Sequence, residues 1–329
     1  MIRWGILGTA RIAREQLVPA IQASRNGSLH AVASRNQESS DAFAKRFGMP
    51  LAFGSYEELL ASPEVDAIYI PLPTSQHVEW TRRCLEAGKH VLCEKPISLH
   101  AREIDELIAA RDKSGRVASE AFMVTYHPQW ALVRSLIADG EIGTLRHIQG
   151  VFSYYNVDPN NMRNKVELGG GGLPDIGVYP TVTARFATGR EPVRARASIV
   201  RDPDFGTDIY ANCQYDFGSF DMTFYCSTQL ALRQSMAFHG DKGLIEVTAP
   251  FNALNYDAVN VCLYNANRSE MKKWAFQAAH QYQLQIEAFG DKIAGEDVPL
   301  FSLEESRANQ AAIDALYAAD LSDGWVDVS

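Results

Sequence analysis

Across its first 120 or so residues the chain repeats short, nearly continuous apolar runs, each followed by room for a helix: Ile2–Leu7, Leu29–Ala33, Ala67–Ile70, His90–Cys93 and Val117–Ala121. A strand that is apolar on both sides must be covered on both faces, and crossover helices of βαβ units do that for a parallel sheet. The intervening segments carry helix punctuation. Ser55-Tyr56-Glu57-Glu58 reads as a capping box, and Gly88 and Gly115 stand where left-handed glycines end two helices. This half therefore predicts a doubly wound α/β sheet of the dinucleotide-binding kind.

From about residue 145 the period becomes two. Ile209, Ala211, Cys213, Tyr215 and Phe217 alternate with Tyr210, Asn212, Gln214 and Asp216, the pattern of a half-buried strand. Phe217-Gly218-Ser219 turns it into a second alternating run ending at Ser227, which makes an antiparallel hairpin. Arg194–Val200, Met236–His239 and Leu244–Val247 extend a mostly antiparallel, open-faced sheet of about five or six strands. Tyr282–Ala294 and Ser302–Asp320 read as helices, the latter opened by a second capping box. The expected division is 1–124 as a Rossmann-type α/β domain and 125–329 as an α+β domain.

Composition narrows the partners. Forty acidic against 31 basic side chains, a formal charge of −9, oppose the phosphate attraction on which nucleic-acid binding rests. The chain has no apolar stretch of membrane-spanning length and opens Met1-Ile2-Arg3-Trp4-Gly5 without a leader pattern, so neither a membrane partner nor export is expected. Its five cysteines are scattered, without a C-x-x-C pair or zinc-like spacing, which predicts reduced thiols, a cytoplasmic setting and no metal.

Four loops then fall at carboxyl ends of parallel strands, where open α/β sheets bind ligands. Gly8-Thr9-Ala10-Arg11-Ile12-Ala13 follows the first strand and opens the first helix, the setting of a phosphate-binding G-x-G-x-x-G/A turn, with Ala10 replacing the middle glycine. Ser34 and Arg35 end the second run where an acid would receive the ribose hydroxyls of NAD; a hydroxyl and a guanidinium suit the 2′-phosphate of NADP instead. NADP is thus expected over NAD. Pro71-Leu72-Pro73-Thr74-Ser75-Gln76-His77 and Cys93-Glu94-Lys95-Pro96 complete the set, adding Pro71, Leu72, Thr74, His77, Glu94 and Lys95 as cofactor contacts.

Gly-Lys-His-Val-Leu-Cys-Glu-Lys-Pro at 88–96, preceded by that fingerprint and the Pro-Leu-Pro loop, resembles the glucose-fructose oxidoreductase / inositol dehydrogenase (Gfo/Idh/MocA) family. Asn161-Met162-Arg163 and the run from Gly169 through Asp175 to Tyr179 are similar to its glycine-rich Asp-x-x-x-Tyr/His motif, in the form carried by NADP-dependent xylose and dihydrodiol dehydrogenases. The resemblance spans nearly the whole chain and implies hydride transfer between nicotinamide and a sugar or cyclic-polyol hydroxyl. Thr74, where asparagine is frequent, departs from the family pattern.

That chemistry needs a base at the reacting hydroxyl, and Lys95 and Tyr179 are the candidates. Bringing a phenol from its ordinary pKa of ~10 to ~7 takes about 4 kcal/mol, which nearby positive charge supplies; either group can be the base. Asp175, four residues before Tyr179, joins the catalytic set by orienting Lys95 or sugar hydroxyls, with helix capping as its compatible structural role. Arg163, His127 and Tyr154 are the candidate substrate contacts; loop anchoring, a core histidine and a core aromatic are the respective alternatives. Tyr210, Tyr225, Asn212 and Thr223 make an aromatic outward sheet face, from which a homodimer or homotetramer is expected. Two other functions fit the same residues: oxidation of an aromatic trans-dihydrodiol, and a nucleotide-sensing regulator without a reaction.

Overall fold

The computed structural model describes residues 1–329. They form two compact units: Met1–Met123 with Gln281–Arg307, and Val124–His280 with Ala308–Ser329.

The first unit holds β1 (Ile2–Leu7), α1 (Val18–Ala23), β2 (Gly27–Ala33), α2 (Gln37–Phe47), β3 (Leu51–Phe53), α3 (Tyr56–Ala61), β4 (Ala67–Ile70), α4 (His77–Glu86), β5 (His90–Cys93), α5 (Ala101–Ser114) and β6 (Ala118–Glu120). The strands make one parallel sheet in the order β3-β2-β1-β4-β5-β6. Pleating sends alternate residues to opposite faces, and both are apolar. Leu7, Ile68, Ile70, Val91 and Cys93 meet Leu59, Trp80, Leu85 and Ile104 on one side, while Trp4, Ile6, Val32, Tyr69 and Leu92 meet Leu17 and Ile21 on the other. The strand order reverses between β1 and β4, so the crevice outside their carboxyl ends lies at a topological switch point. With three residues, β3 is too short for periodicity to show.

In the second unit α6 (Pro128–Ala138), β7 (Leu145–Tyr155) and α7 (Val178–Thr188) precede β8 (Arg194–Arg201), β9 (Asp208–Asp216), β10 (Asp221–Ser227), β11 (Gln229–Gly240), β12 (Gly243–Val247), β13 (Asn260–Asn265) and β14 (Glu270–Ala275). With a short β15 (Val326–Asp327) they form a nine-stranded sheet, β14-β13-β12-β11-β7-β10-β9-β8-β15. Every pair is antiparallel except β7 with β10. The hairpin at Gly218 is present, with Asp221 opposite Asp216. The sheet is wider than the five or six strands expected from alternation. β14 escapes because five of its six residues are exposed and Glu-Met-Lys-Lys offers no apolar face; β7 because its burial alternates only in part. Gly150 lets α7 lie against β7: a Cβ there would stand 3.2 Å from Pro180 Cβ and 2.8 Å from Met236 Sδ.

The last two helices correct the expected boundary. The sequence reading placed all of 125–329 in one domain, yet α8 (Gln281–Ile293) belongs to the first unit. Its Ile286 and Phe289 complete the core around Trp4 and Ile21, and the Phe289 ring stands 5.3 Å from that of Trp4. Arg25 pairs with Asp291, and Asn26 donates to Glu287 O and Asp291 Oδ1. Helix α9 (Leu303–Ser322) starts with the expected capping box, Ser302 N donating to Glu305 Oε2 and Glu305 N to Ser302 Oγ. No helix is long and apolar enough to cross a membrane, and all five cysteines are free and buried.

Candidate active site

In the first unit the chain leaves β1 through Gly8, whose φ of +91° belongs to the left-handed region. Gly8 N donates to Ala33 O, which ties the turn to the end of β2. Thr9 and Ala10 follow, and Arg14 N to Ala10 O (3.2 Å) is an early helical bond, so the N–H groups of Arg11, Ile12 and Ala13 stand at an open helix end. A π-helical turn, Ala13–Leu17, continues into α1. This cradle fits a dinucleotide pyrophosphate: beside a Cβ on Gly8 there would be only side-chain ends, Leu72 Cδ2 at 3.2 Å and Tyr56 Oη at 3.7 Å. The Arg11 side chain is turned to solvent and pairs with Glu15; its backbone, not its guanidinium, faces the cradle's purpose. Ser34 is partly buried and Arg35 exposed at the end of β2, and Asn36 caps α2. Burial pushes the Tyr56 hydroxyl up while Arg35 draws it down, which places Tyr56 and Arg35 within electrostatic reach of each other.

Pro71, Leu72 and Thr74 are buried in the loop after β4. His77, expected to touch cofactor, does something else: its Nδ1 and Nε2 each lie 2.7 Å from a backbone carbonyl, Pro96 O and Leu72 O. Both ring nitrogens are engaged, so the side chain staples one loop to the other and offers a ligand nothing. Burial pushes its proton affinity down, the two carbonyls oppose this, and Lys95 reinforces it.

Glu94 and Lys95 follow β5, and the Lys95–Pro96 peptide is cis. The Glu94 carboxylate accepts from Tyr69 Oη at 2.5 Å and from Lys95 N at 3.3 Å. Tyr69 is fully buried; burial first, then the Glu94 charge, holds its hydroxyl well above the ordinary phenol range, so it remains a donor. Tyr282 on α8 is raised by the same two causes. Lys95 is thereby set on a turn whose backbone is fixed from both sides, by Glu94 and by His77.

In the second unit the segment after β7 makes two short 3₁₀ turns, Met162–Asn164 and Val166–Leu168, and then enters the glycine run. Leu173–Gly177 is a π-helical turn that feeds directly into α7. Asp175 sits on it, and its Oδ2 accepts from both Tyr154 Oη (2.6 Å) and Arg163 Nε (2.8 Å). The structure thus brings together three residues that lie apart in sequence. The N-cap positions of the π-turn and of α7 are Gly172 and Gly177, which carry no capping side chain. Asp175 raises Arg163, while burial and then Asp175 raise Tyr154, so the carboxyl group is held by a cation and a neutral phenol. Tyr179 opens α7 at 6% exposure, its ring 5.5 Å from Phe152 and 5.7 Å from Phe251.

Of the two roles open to His127, substrate contact and core histidine, its burial favours the second. It is 1% exposed and caps α6 by accepting from Gln129 N, and its ring stands edge-on to Phe276 at 5.7 Å. Burial lowers it to about 4, so it is neutral at ordinary pH. Sequence reasoning also passed over residues that carry much of the geometry. Tyr69, Glu120 and Tyr56 support the first unit's loops; Asp208, which accepts from Leu173 N (2.6 Å) and Tyr317 Oη (2.8 Å), supports the glycine run. Tyr56 lies in a capping box that reports only a helix start, and the other three belong to no such local motif, so spacing gave no signal for these roles.

Two family models cover most of the chain: an oxidoreductase family, NAD-binding Rossmann fold, over residues 2–122, and the GFO/IDH/MocA C-terminal domain over 130–246. Similar curated proteins include an uncharacterised oxidoreductase of Rhizobium meliloti, 40% identical over 100% of this chain and 99% of that one. A D-xylose 1-dehydrogenase (NADP(+)) of Haloferax volcanii is 32% identical over 95% and 96%. Among solved structures, a 3-ketoreductase from Actinomadura kijaniata in complex with TDP-benzene and NADP superposes with a TM-score of 0.90 at 28% identity, covering 97% of each chain.

Proposed function

The chain belongs to the GFO/IDH/MocA oxidoreductase family, and from that premise we propose that it transfers a hydride between NADP and a hydroxyl or carbonyl of a sugar, with a free aldose such as xylose or glucose as substrate. The observation that carries the reading is the Arg163–Asp175–Tyr154 array, a fixed anion with two donors on it, set four residues before the phenol of Tyr179. Vicinal sugar hydroxyls both donate and accept, and such an array presents both kinds of partner without further rearrangement.

When bound, NADP supplies the hydride acceptor or donor. Gly8, Thr9, Ala10, Arg11 and Ile12 hold its pyrophosphate through backbone; Ser34 and Arg35 take the 2′-phosphate. Lys95 and Tyr179 are the acid–base pair at the reacting oxygen, and Asp175 orients it, with Arg163 and Tyr154 as substrate contacts. The near full-length likeness to the Haloferax xylose dehydrogenase favours a free aldose. The TM-score of 0.90 with the Actinomadura ketoreductase favours a second reading, a nucleotide-linked keto sugar reduced rather than an aldose oxidised.

A panel of aldoses, cyclic polyols, trans-dihydrodiols and dTDP-linked keto sugars, offered with NADP(H) or NAD(H) and followed by reduced-nicotinamide absorbance, tests the proposal. Turnover of an aldose with NADP, lost in Lys95→Met and Tyr179→Phe while nucleotide still binds, is the expected result. Preference for NAD overturns the role of Arg35; turnover of dihydrodiols alone overturns the substrate class. Association into a homodimer or homotetramer through the Tyr210–Tyr225 face, where the two rings stack at 6.1 Å, is checked by light scattering against 36.4 kDa for one chain.

A further inference from the structure

Glu120, the last residue of β6, belongs to none of the motifs above. It is 3% exposed and stands opposite Cys93 in the parallel register. Its Oε1 accepts from Ile97 N at 2.8 Å, two residues past Lys95, while the nearby Ser306 hydroxyl in the first turns of α9 donates to Ser302 O at 3.1 Å and favours the ionised form of the Glu120 carboxyl. From the end of β5 the Lys95 ammonium favours its charged form and the Glu94 carboxylate opposes it; the Cys93 thiol is the other titratable neighbour. His77 is the further titratable group that feels Lys95.

The fold needs only an acceptor for Ile97 N here. A glutamine would supply one without burying a charge. Burial instead pushes Glu120 up to about 7, so its carboxylate destabilises the folded chain once ionised. A charge kept at such a position marks work that a neutral isostere cannot do.

We propose that Glu120 is a positioning residue for Lys95: anchored by Ile97 N, it sets a buried negative charge beside the Lys95 turn and fixes where the ammonium points. The inference rests on the reading of Lys95 as an acid–base group given above. It goes further in assigning the arrangement of that group to a residue outside the loops.

The sign of the pH effect follows from the raised proton affinity. Stability contributed by a group raised in the folded state is complete below the ordinary carboxyl range and is lost as pH rises through about 7. Glu120→Gln removes that loss, so its melting temperature relative to wild type rises between about pH 5 and about pH 8. Turnover moves the other way. At about pH 8, where Glu120 is ionised, Glu120→Gln loses about tenfold in kcat with NADP affinity unchanged; at about pH 6, where wild-type Glu120 is protonated, the two enzymes converge. Ser306→Ala keeps both charged partners but removes a polar neighbour that favours the carboxylate, and it moves the acid limb of kcat to higher pH.

The experiment measures melting temperature, kcat, KM and NADP dissociation constant for the full-length wild type and these variants across that pH range. A kcat loss in Glu120→Gln that is equal at both ends, or no loss, overturns the inference, as does a Ser306→Ala profile superimposable on wild type. Lys95→Met separates the two readings. If it retains wild-type turnover, the functional reading falls; if it is inactive while the Glu120→Gln gap is flat, only the positioning role falls.

Discussion

Two glycine turns serve the two units for opposite reasons. At Gly8 the missing Cβ leaves a space bounded only by the ends of Leu72 and Tyr56 side chains, the nearer at 3.2 Å. In the Gly169–Gly172 run the same absence is filled by the chain itself. A Cβ on Gly170 would lie 2.4 Å from the Arg163 carbonyl oxygen, and one on Gly171 would lie 2.1 Å from Asp208 Oδ1. The first glycine leaves open space beside it; the others make room for Arg163 and Asp208, which hold the glycine run and the Arg163–Asp175–Tyr154 array in place. Glycine in a motif therefore says that a Cβ is excluded, and only the structure says by what.

The largest effect that sharpens this contrast is expected at Gly170. Its clash is with backbone on a segment fixed by the Asn164 N to Asn161 O and Lys165 N to Met162 O bonds, so Gly170→Ala costs about 3 kcal/mol, read as a lowered urea midpoint. Gly171→Ala follows at about 2 kcal/mol: φ is +138° and the Asp208 carboxylate must leave Leu173 N to make room. Gly8→Ala is the mildest for stability, about 1 kcal/mol, because a leucine terminus can yield. It is the severest of the three for nucleotide, with NADP binding weakened at least about tenfold, or about 1.4 kcal/mol. Equal loss of NADP affinity in Gly8→Ala and Gly171→Ala would break the comparison.

What was legible in the sequence follows the same division. The parallel sheet, its order of motifs and the glycine turn at Gly8 could be read because each is a local pattern: strand, turn and helix in immediate succession. The hairpin at Gly218 was legible for the same reason. The wider sheet was not, since β14 is exposed and β7 pairs with β10 and β11, strands some 70 to 90 residues away along the chain. The Arg163–Asp175–Tyr154 array brings together positions up to 21 residues apart, and each of its members had an ordinary structural reading. The side-chain partners of His77 and His127 were not legible because they are set by burial, and neither a histidine's neighbours in sequence nor its distance from a motif reports that. The assignment of α8 to the second domain failed because contiguity was used where Phe289 on Trp4 decides.

The smallest effect concerns that array. Tyr154 Oη and Arg163 Nε share one oxygen of Asp175, so Tyr154→Phe removes one donor while the ion pair keeps the carboxylate in place. The expected loss is about 1 kcal/mol in kcat/KM, roughly fivefold, with NADP affinity unchanged. Its pH dependence is the sharper observable. Burial and the Asp175 charge both raise Tyr154 above the ordinary phenol range, so the hydroxyl stays a donor through alkaline pH and the ratio of wild type to variant stays flat up to about pH 10. A ratio that collapses toward one in mildly alkaline solution would mean that Tyr154 ionises there, and the neutral-phenol description of the array would fail.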